Sequence, residues 1–180
     1  VSIVIDREGT IYVSDEYLNR ISVFDSAGKF LRKWGVPGSG RGELDGPSGM
    51  ALDAEESLWI VDHRNSRVQK FTREGRYLSE FGVEGTNEGQ FKLPWGITVA
   101  PDEDLYVSDW GNDRIQRFTP NGEFVSAYGE PGDGEGQLTR PSGVDVDKDG
   151  YVYVADWGNN RIQVFDDEGG FVTSKTGEAT

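Results

Sequence analysis

The chain has no cysteine, one histidine and one methionine among its 180 residues. Without thiols, disulfides, thiolate zinc sites and cysteine nucleophiles are excluded. The lone histidine, His63, excludes a poly-histidine metal site within one chain. Positive charge is scarce: 18 Lys and Arg stand against 32 Asp and Glu, for a formal net charge of −14. A surface this acidic repels phosphate backbones and anionic lipid, so no nucleic-acid partner is expected. No apolar run approaches the roughly 20 residues of a membrane helix, so no membrane insertion is expected either. Helical periodicity is missing throughout. What the chain does have is glycine, 25 residues, about twice the usual share. Aromatics make up 12%. That mixture belongs to many strands and many turns.

A repeat organises these strands. IYVSDEYLNRISVF, LWIVDHRNSRVQKF, LYVSDWGNDRIQRF and VYVADWGNNRIQVF are four copies of one pattern. Asp15, Asp62, Asp109 and Asp156 recur every 47 residues, as do Arg20, Arg67, Arg114 and Arg161. Phe24, Phe71, Phe118 and Phe165 keep the same step, and so do Gly28, Gly75, Gly122 and Gly169. Pro47, Pro94 and Pro141, with Gly49, Gly96 and Gly143 two places on, complete the register. The copies fall at approximately 1–47, 48–94, 95–141 and 142–180, within a single domain spanning 1–180.

Each copy reads as four short strands separated by turn residues at spacings of about 8–12, an all-β signature. In the second strand, Val13, Ile60, Val107 and Val154 face one way, and Tyr12, Trp59, Tyr106 and Tyr153 the other. Both faces are apolar, so each small sheet needs a like neighbour on both sides. Radial stacking of four-stranded antiparallel blades, a β-propeller, meets that demand.

These residues resemble the NHL repeat family. The pattern P-x-G, an apolar strand, Y-V-x-D, N-x-R-I-x-x-F, G-x-F and G-(E/Q)-(F/L) runs through the chain, most closely in Leu105–Gly129 and Val152–Phe171. The resemblance implies a β-propeller, most often of six blades, of which four are present. The family includes RNA-binding members, bacterial receptor-kinase sensor domains and peptide-amidating lyases, so it implies the fold and leaves function open. The last copy departs from the pattern: Lys175 stands where Trp34, Phe81 and Tyr128 do, and Thr176 where Gly35, Gly82 and Gly129 do. Terminal repeats turn polar when they cap an array. Three arrangements stay open: part of a larger propeller, a four-bladed ring, or self-association into a bigger ring.

The Asp-x-x-x-x-Arg pairs bracket a four-residue loop between two antiparallel strands. They read as structural loop clamps, because a feature needed by every blade recurs in every blade. Ligand specificity belongs where copies differ. The positions after the repeated aspartate vary: Glu16 and Tyr17, His63 and Arg64, Trp110 and Gly111, Trp157 and Gly158. Trp95 follows Pro94 where the other copies carry Ser48 and Ser142. In an NHL-like blade these loops share one rim, so Tyr17, His63, Arg64, Trp95, Trp110 and Trp157 are the candidate ligand-binding residues. Aromatics beside acidic and amide groups suit a peptide, a protein surface or a glycan. The plainer alternative is that the tryptophans cover seams between blades.

Asp145-x-Asp147-x-Asp149-Gly150 has the look of half a calcium loop, but Asp145 falls in an expected strand, and no metal is expected. The strings Gly38–Gly42 and Gly132–Gly136 precede no helix and read as connectors. With one histidine and carboxylates that look alike in every copy, no acid–base pair or nucleophile stands out. The expectation is a non-enzymatic binding or scaffold module without a cofactor, or else a self-assembling structural unit with no ligand of its own.

Overall fold

The computed structural model describes residues 1–177. Four sequential antiparallel sheets of four strands account for the repeats. Blade 1 comprises Ile3–Ile5, Ile11–Asp15, Arg20–Phe24 and Phe30–Trp34. Blade 2 comprises Pro47–Leu52, Leu58–Asp62, Arg67–Phe71 and Tyr77–Phe81. Blade 3 comprises Ile97–Val99, Leu105–Asp109, Arg114–Phe118 and Phe124–Tyr128. Blade 4 comprises Pro141–Val146, Val152–Asp156, Arg161–Phe165 and Phe171–Thr176. Among the described residues no helix is long and apolar enough to cross a membrane.

The repeat register becomes the strand register. Each repeated aspartate pairs directly with its arginine across the second and third strands: Asp15 with Arg20, Asp62 with Arg67, Asp109 with Arg114, Asp156 with Arg161. The turn between them needs one left-handed residue, supplied by Asn19, Ser66, Asp113 and Asn160 at φ 49, 50, 56 and 52°. Short polar side chains tolerate that region better than branched ones.

The first strands line the axis and approach one another closely. Gly49 donates its N–H to the Trp95 carbonyl at 2.9 Å. A Cβ on Gly49 would stand 2.6 Å from that oxygen, and one on Gly96 2.5 Å from the Ser142 carbonyl. The repeated Pro-x-Gly therefore marks backbone contact between neighbouring blades.

Packing is concentrated at the seams. Tyr12, Ile21 and Val23 of blade 1 meet Met50, Leu58, Ile60 and Phe71 of blade 2. Trp59, Val61 and Val68 of blade 2 meet Leu105, Val107 and Phe118 of blade 3. Tyr106, Ile115 and Tyr128 of blade 3 meet Val152, Val154 and Phe165 of blade 4. Leu44, Phe91 and Leu138, the last residues of the G-(E/Q)-(F/L) signature, are fully buried plugs within these clusters. The fourth-strand aromatics also cross the seams. Phe81 lies 4.6 Å from Phe118, and Trp34 lies 5.3 Å from Phe71, ring centre to ring centre.

The expectation that both faces of every sheet are covered holds for blades 2 and 3 only. Ile115 is fully buried, whereas its counterpart Ile162 is 50% exposed. On blade 1, Ile3, Ile5 and Phe30 lie exposed on the other side. Polar capping is confined to the last strand, at Lys175 and Thr176; Tyr153 and Ile162 keep the seam chemistry although no blade covers them.

Candidate functional site

The Asp–Arg pairs do more than close their own loops. Arg67 Nε donates to Asp62 at 2.8 Å, Arg114 Nε to Asp109 at 2.9 Å and Arg161 Nε to Asp156 at 2.7 Å. The far side of each guanidinium reaches the connector that enters its blade. Arg67 donates to the Gly40 and Glu43 carbonyls, Arg114 to Asn87 and Gln90, Arg161 to Gly134 and Gln137. The second carboxylate oxygen accepts a connector amide from Asp45, Lys92 or Thr139. Burial pushes the Asp62 and Asp109 carboxyls above the ordinary range, against the pull of these donors and of Asn65 and Asn112. In blade 1 the clamp is local: Arg20 meets Asp15 at 3.3 Å, and the free Asp15 oxygen takes the Leu18 amide. These charges are spent on the fold.

The same loops carry the rim. In blades 2, 3 and 4 the chain makes a single 3-10 turn after the aspartate: His63–Asn65, Trp110–Asn112 and Trp157–Asn159. This sets His63, Trp110 and Trp157 at one end of their blades. The connectors deliver Trp95 and Ser142 to the same end. Trp95, Trp110, Trp157 and Ser142 line a mainly apolar cleft of about 440 Å³. Trp95 and Ser142 also border a depression of about 310 Å³ at the mouth of the axis, with Ser48, Gly49 and Gly96. Three of the six candidate residues thus converge on one cavity.

The other three do not line it. His63 stands behind Trp95, edge-on at 4.8 Å, with Nδ1 at 3.0 Å from the Pro94 carbonyl. It braces one wall. Arg64 is engaged by Glu16 at 3.0 Å and Asp45 at 3.1 Å, so its charge is locally balanced. Tyr17 is 88% exposed on the rim of blade 1, away from the cleft. Two tryptophans touch seams as well as the cavity: Trp95 meets His63 across blades 2 and 3, and Trp110 carries Arg140 across blades 3 and 4.

Sequence reasoning missed Arg140 and Ser142. The Arg140 guanidinium lies 4.9 Å from the Trp110 ring centre. Its backbone is left-handed, φ 52°, and its N–H donates to Asp113 at 2.7 Å. The copies differ here too, with Gly46, Leu93 and Arg140 in register, and that difference was the available signal.

The acidic stretch near residue 147 is a turn. Asp147 accepts the amides of Asp149 and Tyr151 and the Tyr153 hydroxyl. Asp145 sits in a strand and accepts the Thr98 hydroxyl at 3.0 Å across the seam. The glycine strings are connectors, with Gly38 bonded to Leu44 and Gly132 to Leu138.

Comparisons with known proteins follow the repeat. A family model described as a 6-bladed beta-propeller matches residues 1–94. The NHL repeat model matches residues 91–118 and 138–165. No curated protein sequence matches the chain. Among solved structures, virginiamycin B lyase from Staphylococcus aureus superposes with a TM-score of 0.75 at 22% identity, over 99% of this chain and 56% of that one. Hydrazine synthase from Kuenenia stuttgartiensis gives 0.71 at 18%, over 97% and 48%. A protein of unknown function from Bacteroides caccae gives 0.70 at 14%, over 98% and 60%. The chain spans about half the length of the solved structures it matches, and these likenesses show the fold alone. Together the two family models cover residues 1–118 and 138–165, with parts of all four repeats, and the chain belongs to the NHL-repeat β-propeller family.

Proposed function

We propose that the chain is a non-enzymatic binding module whose tryptophan-lined cleft captures a segment of a protein, a peptide or a glycan. The observation that carries this reading is convergence. Trp95, Trp110 and Trp157 occupy positions where the repeats differ, come from three separate segments, and meet around one cavity of about 440 Å³. A cavity of that size with apolar walls and few polar groups has the character of a ligand site. Rigid blade seams hold the loops in place, which lowers the ordering cost of binding. Asp109 and Asp156 are engaged in clamps, His63 lies against Trp95, and Arg64 pairs with Glu16 and Asp45.

Selection of a displayed peptide library and a glycan array on the wild-type chain tests the proposal. Ligands captured by the wild type and lost by the Trp110→Ala/Trp157→Ala variant support it. Equal capture by both proteins contradicts it.

A second reading, a self-assembling structural unit, is favoured by the uncovered faces of blades 1 and 4, where Ile3, Ile5, Tyr153 and Ile162 lie exposed. Light scattering separates the two. A fixed multiple of the chain mass that survives dilution favours assembly, and a monomer that still captures ligand favours the module.

A further inference from the structure

The rim charges differ along the arc. Over the first seam, Arg64 is balanced by Glu16 and Asp45. Over the third, Arg140 has no carboxylate partner among the described residues and lies with its guanidinium against Trp110, one wall of the cleft. Among the described residues its side-chain N–H groups make no hydrogen bond, and a guanidinium presents them in a fork that matches a carboxylate. The backbone at this position is left-handed in every copy that has it. The first copy puts Gly46 there, at φ 68°, the second Leu93, at φ 51°, and the third Arg140, at φ 52°. An arginine adopts that conformation at a steric cost that glycine avoids. The Asp113 side chain holds it through the Arg140 N–H at 2.7 Å, as Asn19 holds Gly46 at 2.8 Å.

The cleft itself offers little hydrogen bonding. Of its four lining residues, Ser142 alone has a hydroxyl, and three are indoles. A sugar ring buried there would leave hydroxyls without partners, which is costly. A large apolar or aromatic side chain would not.

We propose that the cleft takes an apolar or aromatic peptide side chain whose neighbouring carboxylate pairs with Arg140. This rests on the reading of the cleft as a binding site and names its ligand class. The carboxylate has two possible sources, the C-terminus of the peptide or an adjacent acidic side chain. Local charge outweighs the net charge of −14 here, because charges farther than a Debye length, about 8–10 Å, are largely screened in physiological salt.

Calorimetric titration at physiological salt, where the distant charges are screened, tests this with four probes. They are acetyl-glycyl-glycyl-phenylalanine as the free acid, the same peptide as its amide, acetyl-glycyl-aspartyl-phenylalanine amide, and a glucuronic-acid disaccharide. The free acid is expected to bind roughly tenfold tighter than the amide. In Arg140→Gln the gap between acid and amide closes, and Arg140→Lys retains part of it. Tight binding of the aspartyl amide assigns the carboxylate to a side chain; weak binding assigns it to the C-terminus. Equal affinity of acid and amide for the wild type overturns the pairing with Arg140 and leaves the cleft reading standing. Binding of the disaccharide alone overturns the peptide class. Peptide binding that survives Trp110→Ala/Trp157→Ala overturns the cleft reading itself.

Discussion

The seams and the rim of this protein are made by the same four repeats, and they follow opposite rules. At the seams the copies agree: a buried apolar plug, an aromatic reaching across, an Asp–Arg pair that fastens the incoming connector. At the rim they differ: Glu16, His63, Trp110 and Trp157 stand in register. Agreement follows where every blade has the same neighbour to satisfy. Difference is free to accumulate where a side chain faces solvent or a ligand. The ends of the arc sharpen the point. Gly75 and Gly122 lie where a Cβ would run into Trp34 and Phe81 of the preceding blade, whereas Gly28 has open space around it. A repeated residue does its packing work only where its neighbour is present.

The largest test of the comparison is a clamp. Asp109→Ala leaves the Arg114 guanidinium nearly buried without its partner, and is expected to cost about 3–5 kcal/mol. Asp15→Ala, at a half-exposed pair with no connector to hold, should cost at most about 1 kcal/mol. Urea midpoints of both variants measure the gap, and equal losses would mean that clamps act within blades. A packing pair comes next. Ile115→Ala should cost about 2–5 kcal/mol at a filled seam, and Ile162→Ala under about 1 kcal/mol on the uncovered face. A large loss at Ile162 would show that the face is covered in solution.

The blade 1–2 seam supplies a smaller, pH-dependent effect. Burial works to raise the Asp6 carboxyl, but the Thr10 amide, Arg73 and the Tyr12 hydroxyl outweigh it and hold the group below its ordinary value. Asp6 in turn, with burial as the larger cause, pushes the Tyr12 hydroxyl up to about 12. A carboxyl lowered by folding stabilises the native state above its unfolded pKa, about 3.9, and loses that contribution as the pH falls through the folded value. Asp6→Asn should therefore flatten the drop in stability between pH 7 and pH 3 seen by urea denaturation. An unchanged drop would place acid sensitivity elsewhere.

Much of the fold was legible in the sequence because the period is unbroken. A strict 47-residue step with apolar residues on both strand faces admits few arrangements besides radial stacking. The convergence of Trp95, Trp110 and Trp157 followed from placing the variable loops at one end. Other features were out of reach. Nothing local says that Arg67 reaches carbonyls 24 and 27 residues back, since that contact depends on how the connector folds over the blade. Tyr17 stands alone because it lies one place past the register of the tryptophans, which Glu16 holds in blade 1, and because the cleft lies over blades 3 and 4. Arg140 was hidden by its own conformation, which places an arginine where a glycine would be at ease.

The smallest expected change in stability belongs to the rim, and it tests the central claim most directly. Trp110→His/Trp157→His gives blades 3 and 4 the rim residue that blade 2 already carries. A calorimetric titration of a selected peptide into this variant, alongside its urea midpoint, separates seam from site. The account predicts that binding is lost while stability changes by under about 1 kcal/mol. Retained binding with a collapse of the midpoint would show the tryptophans to be seam covers and would contradict it.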